Sequence, residues 1–183
     1  IMPSLVGSEM CIRDRFWETF NAMNPGLPDA RPACDEFYTH EFEKAKASLK
    51  YIPDHRPMIE RLKSAGLRVV LATNPIFPLD GVRTRMAWVN LAPEDFGLVT
   101  WYDNSTFCKP NPKYYQEILG KIGAAPEECI MVGNSVSEDM SAGTLGMDVF
   151  LANEFVENPD SRDYSGYRQG SLDDAERYIL KNR

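Results

Sequence analysis

Apolar positions change their spacing near Pro53, and the change divides a helical stretch from one in which strands and helices alternate. Before it, Phe16, Trp17, Phe20 and Met23 predict a short helix, ended by the Asn24-Pro25-Gly26 breaker and Pro28. Tyr38, Phe42, Ala45 and Leu49 then recur at i, i+4, i+7 and i+11, which predicts a second helix with one apolar face. These two helices are expected to pack as a small cap. After Pro53, Asp54 is placed to cap a helix holding Met58, Leu62 and Ala65, and Gly66 stands at its left-handed stop. Residues 67–72 form an apolar, valine-rich run, the mark of a strand buried on both faces of a parallel sheet. Residues 98–101, 129–132 and 149–152 repeat it. Between them, residues 112–122 predict a helix with Asn111 as cap, Pro112 at its first position and Gly123 just past its end. Ser171 with Asp174 matches a capping box ahead of a last helix through Tyr178 and Leu180. The alternation predicts an α/β fold, a doubly wound, Rossmann-like parallel sheet that binds its ligand at the carboxyl ends of its strands.

The residues at those strand ends carry the candidate chemistry. The first strand runs into Ala72-Thr73-Asn74-Pro75, which brings a hydroxyl and an amide to the ligand edge, both able to donate to a phosphate oxygen. By itself a strand-end threonine more often bonds nearby backbone. After the second strand comes Cys108-Lys109-Pro110-Asn111-Pro112, where Pro110 restricts the backbone of Lys109 and makes its ammonium an oriented point charge. The third ends in Gly133-Asn134-Ser135-Val136-Ser137-Glu138-Asp139, a glycine turn followed by acids of the kind that hold Mg²⁺ through oxygen. Acids near a helix start are also favoured by its dipole alone.

Taken in order, these three segments resemble the haloacid dehalogenase superfamily, whose members mostly transfer phosphoryl groups: LATNP resembles its second motif, KPNP its third and VGNSVSED its fourth. The resemblance implies that Thr73 and Lys109 are catalytic, with Thr73 bonding the phosphoryl oxygens and Lys109 stabilising nucleophile and phosphate. It implies substrate binding by Asn74, and Mg²⁺ held by residues among Asp139, Glu138, Asn134 and Ser135. The substrate it implies is a small phosphorylated molecule, attacked through an aspartyl-phosphate. Two departures stand out. The family's first motif, a strand ending in two aspartates one residue apart, has no match, since Asp14 is followed by Phe16 where the second acid belongs. In the fourth, neutral Asn134 and Ser135 occupy the places where an aspartate is expected, which weakens the hold on an ion. The chain is thus expected to lack its first strand and nucleophile and to be inactive as given. The alternative is a non-catalytic phosphate-binding or regulatory protein on the same fold.

Composition narrows the partners. A net charge of -7 without a basic cluster speaks against nucleic acid, and no apolar run approaches a membrane span. Four cysteines without CxxC spacing are expected to be reduced thiols in a cytoplasm, and two scattered histidines make no zinc site. The sequence lacks the GxGxxG of a nicotinamide-binding oxidoreductase. Residues 1–15 fit no helix or strand period. Glu9 to Arg15 back-translate to GAG ATG TGT ATA AGA GAC AGN, which resembles a transposon end used in sequencing libraries. The expected organisation is therefore a non-native, adapter-derived segment at 1–15, a helical cap at 16–52 and an α/β core at 53–183. Genomic DNA upstream of the codon for Phe16 is expected to depart from those codons; a natural reading frame that runs through them unbroken removes this division.

Overall fold

The computed structural model describes residues 10–182. It divides into two compact units, Ile1–Phe107 and Cys108–Arg183. The expected boundary between 52 and 53 does not coincide with this division.

In the first unit, helix α1 (Ile12–Met23) begins four residues before the expected Phe16. No side chain caps it. Instead the Ile12 and Arg13 amides donate to the carbonyls of Ser105 and Tyr102 at 2.9 and 3.0 Å, satisfying two of the donors that a helix start leaves open. Ile12, Arg15 and Trp17 are buried. Helix α2 (Arg31–Glu36) runs on through a π-helical turn, Phe37–Glu41, and a 3₁₀ segment, Phe42–Ser48. This change of pitch corrects the single apolar face expected from Tyr38, Phe42, Ala45 and Leu49. Tyr38 and Phe42 stay together, with ring centroids 5.2 Å apart, while Ala45 and Leu49 are turned out to solvent. The two rings meet Phe77 and Trp88 at 6.1 and 5.5 Å, so this helical stretch is tied to α4 (Leu79–Trp88) and to the turn before it. Gly81 makes the approach possible, because a Cβ there would lie 2.8 Å from the Tyr38 ring.

Strands β1 (Val70–Leu71) and β2 (Leu98–Val99) pair in parallel, and flanking bonds from Gly97 N to Val69 O (2.8 Å) and Thr100 N to Leu71 O (3.1 Å) extend the ladder. Both are shorter than expected. The Asn104 side chain ends β2 by accepting from Trp101 N at 2.8 Å and donating to Val99 O at 2.9 Å, which takes up backbone groups that a longer ladder needs. Nor is β1 buried on both faces; its residues are half-buried. Val82, Met86 and Val99 form the core here, packed by Leu71, Phe77, Leu91, Phe96 and Trp101. Helix α3 (Arg56–Ser64) has His55 and not the expected Asp54 at its cap position, with no side-chain cap; the Asp54 carboxylate, one residue earlier, accepts the Arg56 amide at 3.0 Å, and the helix stops at Gly66 with φ of 84°.

In the second unit, α5 (Pro112–Ile122) has the expected Asn111 cap, which accepts from Lys113 N at 3.0 Å, and the left-handed Gly123. A three-stranded parallel sheet follows in the order β3 (Ile130–Gly133), β4 (Asp148–Ala152), β5 (Gln169–Gly170). The last strand has only two residues, too short to leave a period in the sequence. Helix α6 (Leu172–Lys181) carries the expected capping box, with Ser171 Oγ accepting from Asp174 N and Asp174 accepting from Ser171 N. Val136, Met140 and Leu151 centre this core, and Tyr114 and Tyr115 on α5 are almost fully buried. Among the described residues no helix is long and apolar enough to cross a membrane.

One ion pair ties α3 to the chain just before β2. Arg56 meets Asp95 with two parallel bonds of 2.9 and 3.0 Å, and Asp95 also accepts the Ala92 amide at 2.8 Å. The Ala92 amide, then Arg56, holds the Asp95 carboxyl below its ordinary value. Its stabilisation is therefore complete above the unfolded carboxyl pKa, about 4, and is lost as pH falls through the lower folded value. Asp95→Asn is expected to lower the melting temperature at pH 6 and to narrow its gap from the unsubstituted chain as pH approaches 3. Parallel melting curves for the two chains across that range refute the assignment.

Candidate functional site

The strongest grouping of candidate residues lies at the carboxyl end of β3. Lys109, in the turn before α5, reaches Asp139 with Nζ 2.6 Å from Oδ1, and only 6% and 7% of the two side chains is exposed. Two unit charges out of water carry a heavy desolvation cost, so such a pair persists only with good geometry and further hydrogen bonds. Asp139 has them. Its Oδ2 accepts the Ser135 amide at 2.9 Å, and its own amide donates to Ser135 O at 3.0 Å. The Tyr114 ring stands 5.8 Å from the Lys109 ammonium, near enough for a weak cation–π attraction.

Gly133 makes room for this arrangement. A Cβ on Gly133 would fall 2.2 Å from Asp139 Oδ2 and 2.3 Å from its Cγ, so the carboxylate sits directly on the last residue of β3. The sequence shows this glycine as a turn residue; its deeper requirement depends on a side chain six places later. Tyr115 closes the segment from below, its hydroxyl donating to Glu138 O at 2.8 Å. Burial, and then the Asp139 charge, pushes that phenol well above its ordinary value, so it stays a neutral donor.

The other fourth-motif residues have their own engagements. Asn134 donates from Nδ2 to Phe155 O at 2.7 Å. Ser135 is buried, and its Oγ accepts the Glu138 amide at a long 3.3 Å. The Glu138 carbonyl accepts from Tyr115 and from Ser141 Oγ. Among the described residues no three His, Cys, Asp or Glu side chains gather as a metal-binding group. Mg²⁺ demands near-octahedral oxygen ligation, and Asp139, the one buried carboxylate here, is already balanced by an ammonium. These residues do not by themselves make a Mg²⁺ site.

Thr73 and Asn74 belong to the first unit. Thr73 Oγ1 lies at the end of β1 and donates to Thr100 O at 2.7 Å, with Thr100 Oγ1 3.2 Å away. Thr100 is buried and its hydroxyl reaches Thr73 O at 3.1 Å, so the two threonines lock the ends of β1 and β2 together. Thr100 falls inside the strand expected at 98–101 but lies one residue past β2, and nothing in its spacing marks it as a partner of Thr73. Asn74 is half-buried, and its carbonyl accepts the Ile76 amide at 2.9 Å.

Residues 4–145 match the model of the haloacid dehalogenase-like hydrolases. The chain is 32% identical over 112 residues to a glyceraldehyde 3-phosphate phosphatase of Methanothermobacter thermautotrophicus, covering 58% of this chain and 46% of that protein. It is 26% identical over 133 residues to the pyrophosphatase PpaX of Bacillus pumilus, covering 71% of this chain and 58% of the relative. The chain thus spans about half the length of these curated relatives. A HAD phosphatase structure from Thermococcus onnurineus superposes with a TM-score of 0.58 at 22% identity, covering 89% of this chain and 70% of that one, which shows the shared α/β fold.

Removing one charge of the buried pair strands the other. Lys109→Met is expected to destabilise the chain by about 3–5 kcal/mol, and the double variant Lys109→Met with Asp139→Leu to recover much of that loss. Denaturant unfolding of the single and double variants measures both, and a double variant no more stable than Lys109→Met contradicts the pairing. Gly133→Ala is expected to cost about 1–3 kcal/mol by overpacking against Asp139, and a neutral result in the same measurement denies the close approach.

Proposed function

We propose a phosphohydrolase role, on the premise that the chain belongs to the haloacid dehalogenase-like hydrolase family. The substrate class is a small phosphorylated molecule, in keeping with relatives described as phosphatases and a pyrophosphatase. The observation that carries the reading is the buried Lys109 ammonium, held at the carboxyl end of β3 by Asp139. Phosphoryl transfer requires little of a protein beyond positioning and charge stabilisation at the transferring oxygens. Lys109 is fixed in direction by its carboxylate partner, and its remaining N–H donors serve an anion. Thr73, whose hydroxyl donates to Thr100 O within the first unit, is assigned to phosphoryl binding on the family's second motif alone.

In this reading an aspartate attacks phosphorus, the bond from phosphorus to the leaving oxygen breaks, and that oxygen takes up a proton. Water then attacks the aspartyl-phosphate, releasing inorganic phosphate and restoring the carboxylate. The 183 residues contain no two aspartates with a single residue between them to begin this reaction, so the nucleophile is assigned outside them. The family brings Mg²⁺ with it, which when bound offsets the negative charge of the phosphoryl group. Toward it this chain offers Asp139 and the Asn134 and Ser135 oxygens, with Glu138 beside them. Four cysteines without CxxC spacing support a reducing, cytoplasmic setting for this reading, and a net charge of -7 speaks against a nucleic-acid partner.

A second reading, a non-catalytic phosphate-binding or regulatory protein, is favoured by the neutral Asn134 and Ser135. The chain as given is expected to hydrolyse no phosphate ester, because loss of a covalent nucleophile costs roughly 10⁶-fold in kcat. A form extended upstream into a strand ending in paired aspartates is expected to be active. Phosphate release from a panel of small phosphate esters distinguishes them. Turnover by the given chain overturns the nucleophile assignment, and an inert extended form that still binds phosphate favours the second reading.

A further inference from the structure

The neutral Asn134 has a task that an aspartate cannot perform. After β4, a 3₁₀ turn, Asn153–Phe155, carries the chain beside the end of β3. Three hydrogen bonds fasten it there. Asn134 Nδ2 donates to Phe155 O at 2.7 Å, Glu157 N donates to Asn134 O at 2.9 Å and Val136 N donates to Glu157 O at 3.0 Å, the last two making the parallel bridge between Ser135 and Glu157. The Phe155 carbonyl is an acceptor only, so the Asn134 group facing it must be the NH₂. A carboxylate at 134 turns that contact into a meeting of two acceptors. The turn so held presents Phe155 with 79% of its surface exposed. It does so from the carboxyl ends of β3 and β4, the same sheet edge on which Asp139 holds Lys109. Neighbouring turn residues 153 and 154 are polar and exposed, which leaves the phenyl ring as the large apolar group that this turn offers.

We infer that Asn134 is a positioning residue that straps the 153–157 segment to β3, and that Phe155, set by this strap, selects phosphorylated substrates bearing an apolar or aromatic group. The selectivity rests on the phosphate reading above, whereas the strap does not. A ring on the rim of a phosphate edge contributes where the substrate has a face to stack on or an apolar surface to shelter, and contributes nothing to inorganic phosphate.

The test uses the full chain and the variants Asn134→Asp, Asn134→Ala and Phe155→Ala. Amide hydrogen exchange at Val136 and Glu157, and chymotryptic cleavage after Phe155, report the strap. Exchange at Leu151, in the core of β4, verifies that the sheet remains folded. Asn134→Ala is expected to speed exchange and cleavage roughly three- to tenfold, the effect of losing one intramolecular hydrogen bond, and Asn134→Asp to speed them more. Unchanged rates in both variants overturn the strap; if Asn134→Asp fails to fold, Asn134→Ala decides alone. Calorimetric binding of phenyl phosphate and inorganic phosphate reports selectivity. The unsubstituted chain is expected to favour phenyl phosphate, Phe155→Ala to reduce that preference while leaving inorganic phosphate affinity in place, and Asn134→Ala to reduce the preference as well. A preference equal in all three chains overturns the role of Phe155. Absence of inorganic phosphate binding in every chain overturns the phosphate reading and the selectivity with it, and the exchange result still decides the strap.

Discussion

A buried carboxylate resting on a glycine organises the second unit. Asp139 can approach β3 because Gly133 has no side chain, and once there it accepts the Ser135 amide and the Lys109 ammonium. Each contact makes the next less costly. The Ser135 amide and the ammonium offset the desolvation of the carboxylate, and the carboxylate offsets that of the ammonium. The turn that leads into α5 and the segment that follows β3 are thereby joined through one ion pair, with Tyr115 on α5 adding a bond to the carbonyl of the residue before Asp139. The local structure and the candidate chemistry share the same atoms: the contact that holds the segment in place also aims the lysine.

The first unit solves a similar problem without charge. Thr73 and Thr100 stand at the ends of two paired parallel strands, and each hydroxyl is directed to the other residue's carbonyl. Hydroxyl bonds of this kind contribute modestly and exchange partners readily, because a hydroxyl rotates about its own bond. The Lys109 pair is the opposite case, since breaking it exposes two charges to an environment that cannot solvate them.

Regular local rules made much of this legible in the sequence. Asn111, Pro112 and Gly123 framed α5, Ser171 and Asp174 framed the start of α6, and Gly66 stopped α3, because caps and left-handed stops depend on residues close together in the chain. Where tertiary contact decided, the sequence was a poorer guide. Helix α1 begins at Ile12 because distant carbonyls receive its first amides. The stretch from Phe37 to Ser48 changes pitch, so Ala45 and Leu49 do not share the buried side of Tyr38 and Phe42. Strand β2 yields to the Asn104 side chain, and β5 has no period to read. The bond between Asn134 and Phe155 spans twenty-one residues and has no signature in either segment.

That bond gives the unusual fourth motif a physical explanation. Among the described residues, the corner at the end of β3 contains Lys109 and Asp139 as a balanced pair, so its buried charges sum to zero. An acid at 134 would add a negative charge beside a carboxylate whose cationic partner is already committed. It would also face the Phe155 carbonyl, so repulsion from both sides would favour either a bound cation or release of the turn. An amide avoids both. It is neutral beside Asp139, donates to the carbonyl and leaves its own oxygen as an acceptor. The asparagine therefore suits a corner whose geometry is held by hydrogen bonds and one ion pair.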